Sequence, residues 1–324
     1  IKLKANNSVF LFHMTRGLKI IGGIIGILCI LLFVFSDRDK PVEELIPLYT
    51  NNASQFMPLM GMKVHYRDEG VPSDSIPLIL LHGMSSSLNT WDSLALVLSG
   101  GKRVISLDLP GFGLTGPSPE NTYNYDFYAA FIDSFTSRLQ VKKCILVGNS
   151  MGGGIAWNYA LHNPNLVDKL ILIDAAGYPK KNESGSLGFK LASTPIINNL
   201  LLFITPKVLI RKSLETIYVD QTDVTEARVE RYHDMAIREG NREAALQIFK
   251  GSFATTKNKG QINAVKTPTL ILWGDSDNVI SVENAYKFKH DIKGSKVEIY
   301  PNVGHVPMEE VPLKVAESIL NFLR

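Results

Sequence analysis

Cysteine is nearly absent: two residues in a chain of 324, Cys29 inside an apolar run and Cys144 in the strand-like KKCILVG. A disulfide between the two is disfavoured, since Cys29 falls in a run that reads as membrane-spanning. With hydrophobic neighbours on one side, Cys144 reads as a small core residue and not as a redox thiol. Charge of one sign is also missing. The formal net charge is only +3, and Lys and Arg are scattered outside the extreme N-terminus, with no basic stripe interleaved with aromatics. That argues against nucleic acid as a partner. No internal repeat and no low-complexity tract appears. With 45% hydrophobic and 20% charged residues, the composition is that of a globular, enzyme-sized chain.

One long apolar run is present. Residues 18–35 read LKIIGGIIGILCILLFVF, with Lys19 as their single charge. About 18 helical residues at 1.5 Å each span roughly 27 Å, close to the hydrocarbon thickness of a bilayer. A cleaved signal peptide is the competing reading, but SDRDKP follows where a small-x-small site is needed. A lipoprotein signal is disfavoured by the large Leu28 before Cys29. The run is therefore expected to be a transmembrane anchor. Lys2, Lys4, Arg16 and Lys19 precede it, whereas the charges of Asp37, Arg38, Asp39 and Lys40 cancel after it. The N-terminus is thus expected to be cytoplasmic and the remaining chain extracytoplasmic. The sequence begins with Ile, and Met14 is a candidate start.

Beyond the anchor, residues 36–54 read as a linker, after an N-terminal segment 1–17. FMPL and MKVHYRDEG, joined through Gly61, suggest an antiparallel pair of strands. IPLILLHG, RVISLDLPG, KKCILVGNS and VDKLILIDAAG are short continuous apolar runs, the signature of strands buried on both faces. Helical segments separate them: SLNTWDSLALVLS, YDFYAAFIDSFTSRLQ and GGGIAWNYALHNP. This alternation implies βαβ units and a mainly parallel sheet. It stops over 178–265, which is helix-like, and resumes with TPTLILWGD, SVENAYKFKHDI, KVEIY and a last helix. The core is therefore expected over 55–177 and 266–324, with 178–265 inserted as a helical lid.

The strongest motif is Gly148-Asn149-Ser150-Met151-Gly152. G-x-S-x-G arises by chance in roughly one chain in ten of this length, so its setting decides. Here it ends a buried strand and opens a helix, as a nucleophile elbow requires. A serine hydroxyl needs a base. Of seven histidines, His305 in YPNVGHVPMEE lies on a loop after the last strand and before the last helix. That position fits the chain order Ser, acid, His. The orienting carboxylate is open among Asp275, Asp277 and, less favoured, Asp174. Backbone N–H groups of Met151 and Met84 are expected to form an oxyanion hole. Asp108–Gly113 reads either as a loop lining the same end of the sheet or as a plain turn.

His82-Gly83, DLPGFG at 108–113, GNSMGG at 148–153, WGDSD at 273–277 and VGHVPMEEVP at 303–312 together resemble the α/β-hydrolase superfamily, from about residue 56 to the end. The resemblance implies an α/β fold with a mainly parallel, eight-stranded sheet and helices on both faces. It also implies Asp277 as the acid, three residues after the glycine of W-G-x-x-D, and a structural place for Glu310. GNSMGG followed by AAG looks like the bacterial lipases and esterases of family V. The same GNSMGG occurs in hydrolases that cleave carbon–carbon bonds of ring-fission products. Epoxide hydrolases and haloalkane dehalogenases use an Asp nucleophile, against which Ser150 argues. The expectation is a membrane-anchored serine esterase or lipase, needing no metal or organic cofactor. Its small-molecule ester substrate, with an apolar acyl chain, would meet His82, Gly83, Leu200 and Phe203, the last two in an apolar stretch that Leu191, Ile196 and Ile197 precede. A carbon–carbon hydrolase would instead turn a cation such as Arg211 or Lys212 toward a dienoate. A non-catalytic binding protein on the same scaffold is the third reading.

Overall fold

The computed structural model describes residues 37–179, 203–250 and 261–324, together with Gly22, Gly23 and Gly26. Eight strands form one sheet: β1 (Ser54–Leu59), β2 (Met62–Gly70), β3 (Leu78–Leu81), β4 (Arg103–Leu107), β5 (Cys144–Asn149), β6 (Val167–Ile173), β7 (Thr269–Gly274) and β8 (Lys296–Tyr300). Their spatial order is β1-β2-β4-β3-β5-β6-β7-β8. β2 pairs antiparallel with both β1 and β4, and every other pairing is parallel. The antiparallel pair around Gly61 and the mainly parallel remainder agree with the sequence reading.

The continuous apolar runs become the central strands because both faces of the sheet are covered. In β3, Ile79 and Leu81 join one core layer while Leu78 and Leu80 join the other. The same alternation runs through β5, where Leu146 faces the first layer and Ile145 and Val147 the second. On the first face pack α3 (Tyr125–Arg138), α4 (Met151–His162) and α8 (Glu283–Asp291), through residues such as Phe131, Phe135, Ile155 and Phe288. On the second lie α2 (Asp92–Leu98) and α10 (Pro312–Leu323), through Leu94, Leu98, Val315 and Ile319. α3 starts where it does because Asn124 Oδ1 accepts the Phe127 N–H at 2.8 Å. Cys144 is buried in β5, and burial pushes its thiol up to about 12, which suits a core residue.

Between β6 and β7 the described residues hold three helices, α5 (Lys207–Ile217), α6 (Glu226–Ile237) and α7 (Asn241–Lys250). Leu214 and Val229 carry α5 and α6 into the second core layer. The segment read as a linker is, from Asp37 onward, bound to these helices. It contains α1 (Val42–Tyr49), whose Leu45 is buried against Leu114 and Met235. Lys40 Nζ meets Asp234 Oδ1 at 2.7 Å, and Arg242 holds Asp39 at 2.6 Å. Val42, Ile46 and Tyr49 pack beside Leu45, an i, i+3, i+4, i+7 spacing that marks one apolar face of the helix. The expected anchor at 18–35 lies outside the described residues apart from three glycines. Among the described residues no helix is long and apolar enough to cross a membrane.

The chain passes from β3 to β4 on one side and then returns to β5 on the other, so the strand order reverses around β3. In open α/β sheets, ligands bind outside the carboxyl ends of the strands at such a reversal. The carboxyl end of β5 is where Ser150 stands.

Candidate active site

Ser150 occupies a backbone conformation that L-residues avoid, φ 53° and ψ −117°. Its N–H donates to Ile173 O at 3.0 Å, and its carbonyl accepts from Gly154 and Ala176. Neighbours over-determine this turn, as a strained residue requires. The flanking glycines are steric necessities. A Cβ on Gly148 would lie 2.3 Å from the Gly152 carbonyl oxygen, and one on Gly152 would lie 2.1 Å from that of Leu81. The sharp turn lifts Ser150 above the sheet at the start of α4. Met151 is the first residue of that helix, so its N–H is among those a helix leaves without an internal partner. Gly83 lies against the serine: a Cβ there would sit 3.1 Å from Ser150 Cβ. Met84 follows in the same loop.

His305 is buried on the loop between β8 and the short helix α9 (Pro307–Glu310). Its Nδ1 lies 2.7 Å from Asp277 Oδ2. The other oxygen of Asp277 accepts the N–H groups of Val279 and Ile280, at 2.7 and 3.0 Å. Asp275 turns elsewhere, its Oδ1 accepting the Asn302 N–H at 2.8 Å. The geometry therefore separates two carboxylates that stand two residues apart in sequence. Glu310 braces the histidine loop, accepting from Gly304 N at 2.7 Å and from Val219 N at 2.9 Å. The His305 N–H donates to Ile217 O, the last residue of α5, at 2.8 Å. The link between the serine turn and the histidine loop is Asn149. Its buried amide donates to Ile173 O at 3.2 Å and to His305 O at 3.0 Å. Sequence reading missed Asn149, which stands at a variable position of the motif; only its polarity at the end of an otherwise apolar strand hinted at a partner.

One expected substrate contact is corrected. His82 is fully buried, and both ring nitrogens are engaged: Nδ1 lies 2.7 Å from Gly83 O, and Nε2 accepts the Leu109 N–H at 2.9 Å. Burial holds its pKa below the usual histidine value. His82 is a neutral brace between two loops, not a substrate ligand. Phe203 is 61% exposed, and its carbonyl accepts the Asp37 N–H at 3.0 Å. Leu200, with Leu191, Ile196 and Ile197, lies outside the described residues. Arg211 donates to Glu226 and Val224 O, and Lys212 to Glu215, so both cations are already held on the helical insertion.

Asp108, read as either turn or site loop, is a buried hub. It meets His65 Nδ1 at 2.7 Å and accepts the N–H groups of Leu88 and Leu114 at 2.7 and 2.8 Å. Burial alone would raise its pKa, but the His65 imidazole and these donors outweigh burial and hold it below the usual carboxylate range. Asp108 thereby fixes the loop that follows Met84. Two groups among the described residues bring three metal-ligating side chains within 4.8 Å: Asp174, Asp277 and His305, and Glu230, His233 and Asp234. In the first, Asp277 is already bonded to His305. In the second, Lys40 Nζ and Tyr49 Oη occupy Asp234, at 2.7 and 2.9 Å.

Known proteins share this architecture. A hydrolase of Bacillus subtilis (strain 168) of uncharacterised function, YugF, is 27% identical over 271 residues, 82% of this chain and 95% of its own. A 2-hydroxy-6-oxononadienedioate/2-hydroxy-6-oxononatrienedioate hydrolase of Escherichia coli is 27% identical over 274 residues, covering 81% and 91%. Among solved structures, a membrane phospholipase A described as a bacterial virulence factor superposes with a TM-score of 0.73 at 26% identity, covering 97% of both chains. The family model for the alpha/beta hydrolase fold matches residues 76–312, from the start of β3 to the beginning of α10. With that match over most of its length, on a sheet that carries Ser150 at a strained turn and a buried His305–Asp277 pair, the chain belongs to the alpha/beta hydrolase fold family.

Proposed function

We propose that the chain hydrolyses carboxylic esters through an acyl-enzyme on Ser150. The observation that carries this reading is the His305 Nδ1–Asp277 Oδ2 contact of 2.7 Å in a buried loop bonded to the turn of Ser150. In the proposed reaction the Ser150 hydroxyl attacks the ester carbonyl while His305 Nε2 takes its proton. Asp277 holds the Nδ1–H tautomer and stabilises the imidazolium. The Met84 and Met151 amides receive the oxyanion; one such donor is worth about 2.7–4 kcal/mol of barrier. His305 then returns the proton to the leaving alcohol, activates a water for attack on the acyl-enzyme, and regenerates the free serine.

The likeness to a membrane phospholipase A over 97% of both chains supports an ester with an apolar acyl chain. In the same reading residues 18–35 anchor the chain, with the catalytic part extracytoplasmic, and the helical insertion gates the site. The second reading is carbon–carbon bond hydrolysis on the same triad, favoured by the 27% identity to the E. coli dienedioate hydrolase. The pairing of Arg211 and Lys212 with carboxylates of the insertion weighs against their serving a dienoate, and tips the choice to esters. Purified protein is to be offered p-nitrophenyl esters of increasing acyl length beside a ring-fission dienoate. Ester turnover abolished in Ser150→Ala, with fluorophosphonate labelling of the parent, is expected. Turnover of the dienoate alone would establish the second reading, and an unlabelled, inactive parent would remove both. Membrane fractionation, with loss of the protein from membranes on deletion of 18–35, checks the anchor.

A further inference from the structure

A second carboxyl stands behind the proposed acid. Asp174 follows β6, is fully buried, and is held at φ 45°. Its Oδ1 accepts the Gly274 N–H at 3.0 Å. No donor among the described residues reaches its buried Oδ2. The carboxyl of Asp277 does approach it, and Asp174, Asp277 and His305 offer atoms all within 4.8 Å of one another. A buried carboxyl oxygen beside a second carboxyl, with no donor among the described residues, is better placed to carry a proton than to hold a bare negative charge. We propose that Asp174 is a positioning residue: as an undissociated acid it accepts from Gly274 and donates its O–H to Asp277, fixing the carboxylate that orients His305.

This inference rests on the serine-hydrolase reading only for its consequence in catalysis. The charge distribution supports it independently. Besides Asp277, the titratable groups around Asp174 are Glu310, Tyr300 and His305. None of these except the imidazole can supply a cation. Burial first, and then the Asp277 charge, push the Asp174 carboxyl well above the usual carboxylate range. Asp277, by contrast, has two backbone N–H donors and the imidazole to hold its charge. One proton shared by two acids settles on the one with fewer donors.

The discriminating variant is Asp174→Asn, whose amide reproduces one acceptor for Gly274 and one donor for Asp277. If Asp174 is neutral in the fold, it ionises on unfolding above about pH 4, and the native state alone keeps the proton. Native stability from this group therefore falls as pH rises. The melting-temperature advantage of Asp174→Asn over the parent is expected to widen between about pH 4 and 8. A gap that stays constant over that range would mean an ionised Asp174 and overturn the proposal. That measurement needs no activity, so it stands even if the esterase reading fails. With an ester substrate, the acid limb of kcat/KM in Asp174→Asn should stay where the parent has it. A shift to lower pH by about one unit, the effect of deleting a nearby negative charge, would equally overturn it. Asp174→Ala should lower kcat about tenfold, the worth of one well-placed hydrogen bond, with KM unchanged. Full kcat in Asp174→Ala would show that the contact positions nothing.

Discussion

Replacing Ser150 by glycine removes a hydroxyl and a Cβ from a backbone held at φ 53°, ψ −117°. Non-glycine residues in such sparsely populated regions cost about 1–3 kcal/mol. Glycine pays none of that, but it loses about 0.5–1 kcal/mol more chain entropy on folding than alanine does. The fair reference is Ser150→Ala, which also lacks the hydroxyl yet keeps the strained Cβ. The difference of the two terms makes Ser150→Gly more stable than Ser150→Ala by about 1 kcal/mol, within a range of about 0–2.5 kcal/mol. Equilibrium urea unfolding, followed by far-UV circular dichroism, should show a higher midpoint for the glycine variant with an unchanged slope. Both variants should be inactive on esters. A glycine variant no more stable than the alanine one would refute the claim that this turn stores strain in order to present its side chain.

Asp108→Asn weakens a buried acceptor that serves His65 and two backbone N–H groups and turns an amide N–H toward a donor, so a loss of about 1–3 kcal/mol is expected. Because the Asp108 pKa is depressed in the fold, its contribution is complete above the unfolded value of about 3.9 and lost as pH falls through the folded one. Urea unfolding across pH should therefore show the carboxylate's advantage shrinking only on the acid side. Glu309 is buried between Thr90, Tyr232, Arg228 and Arg231, joining α6 to the loop before α2. Glu309→Gln should release α6 at a cost of about 1–3 kcal/mol, read as faster amide hydrogen exchange across Glu226–Ile237 than across β5.

The sheet was legible because its central strands are unbroken apolar runs, a pattern that only burial on both faces sustains. The serine turn was legible because two glycines and a strand-to-helix boundary coincide there. Other features were invisible for a common reason: they depend on partners distant in the chain. Asn149 meets a carbonyl 156 residues away, and His65 meets a carboxylate 43 residues on. His82 looked like a loop residue available to substrate, since nothing in the sequence announces that two backbone groups will occupy its ring. The choice between Asp275 and Asp277 needed resemblance, because both follow the same buried strand and both suit a turn. α1 escaped notice because it is only eight residues long and Pro47 interrupts its apolar face.

The strap from Asp37 to Tyr49 fixes the direction in which the polypeptide leaves the folded body. Asp37, Asp39 and Lys40 are tied to Thr205, Arg242 and Asp234, so the exit point lies on the helical insertion and not across the sheet from it. A pull applied ahead of residue 37 would reach α6 and α7 first, and α5 touches the backbone of His305. Tension from that end is thus wired mechanically toward the proposed base, whereas a load on the carboxyl terminus enters through α10 on the sheet's second face.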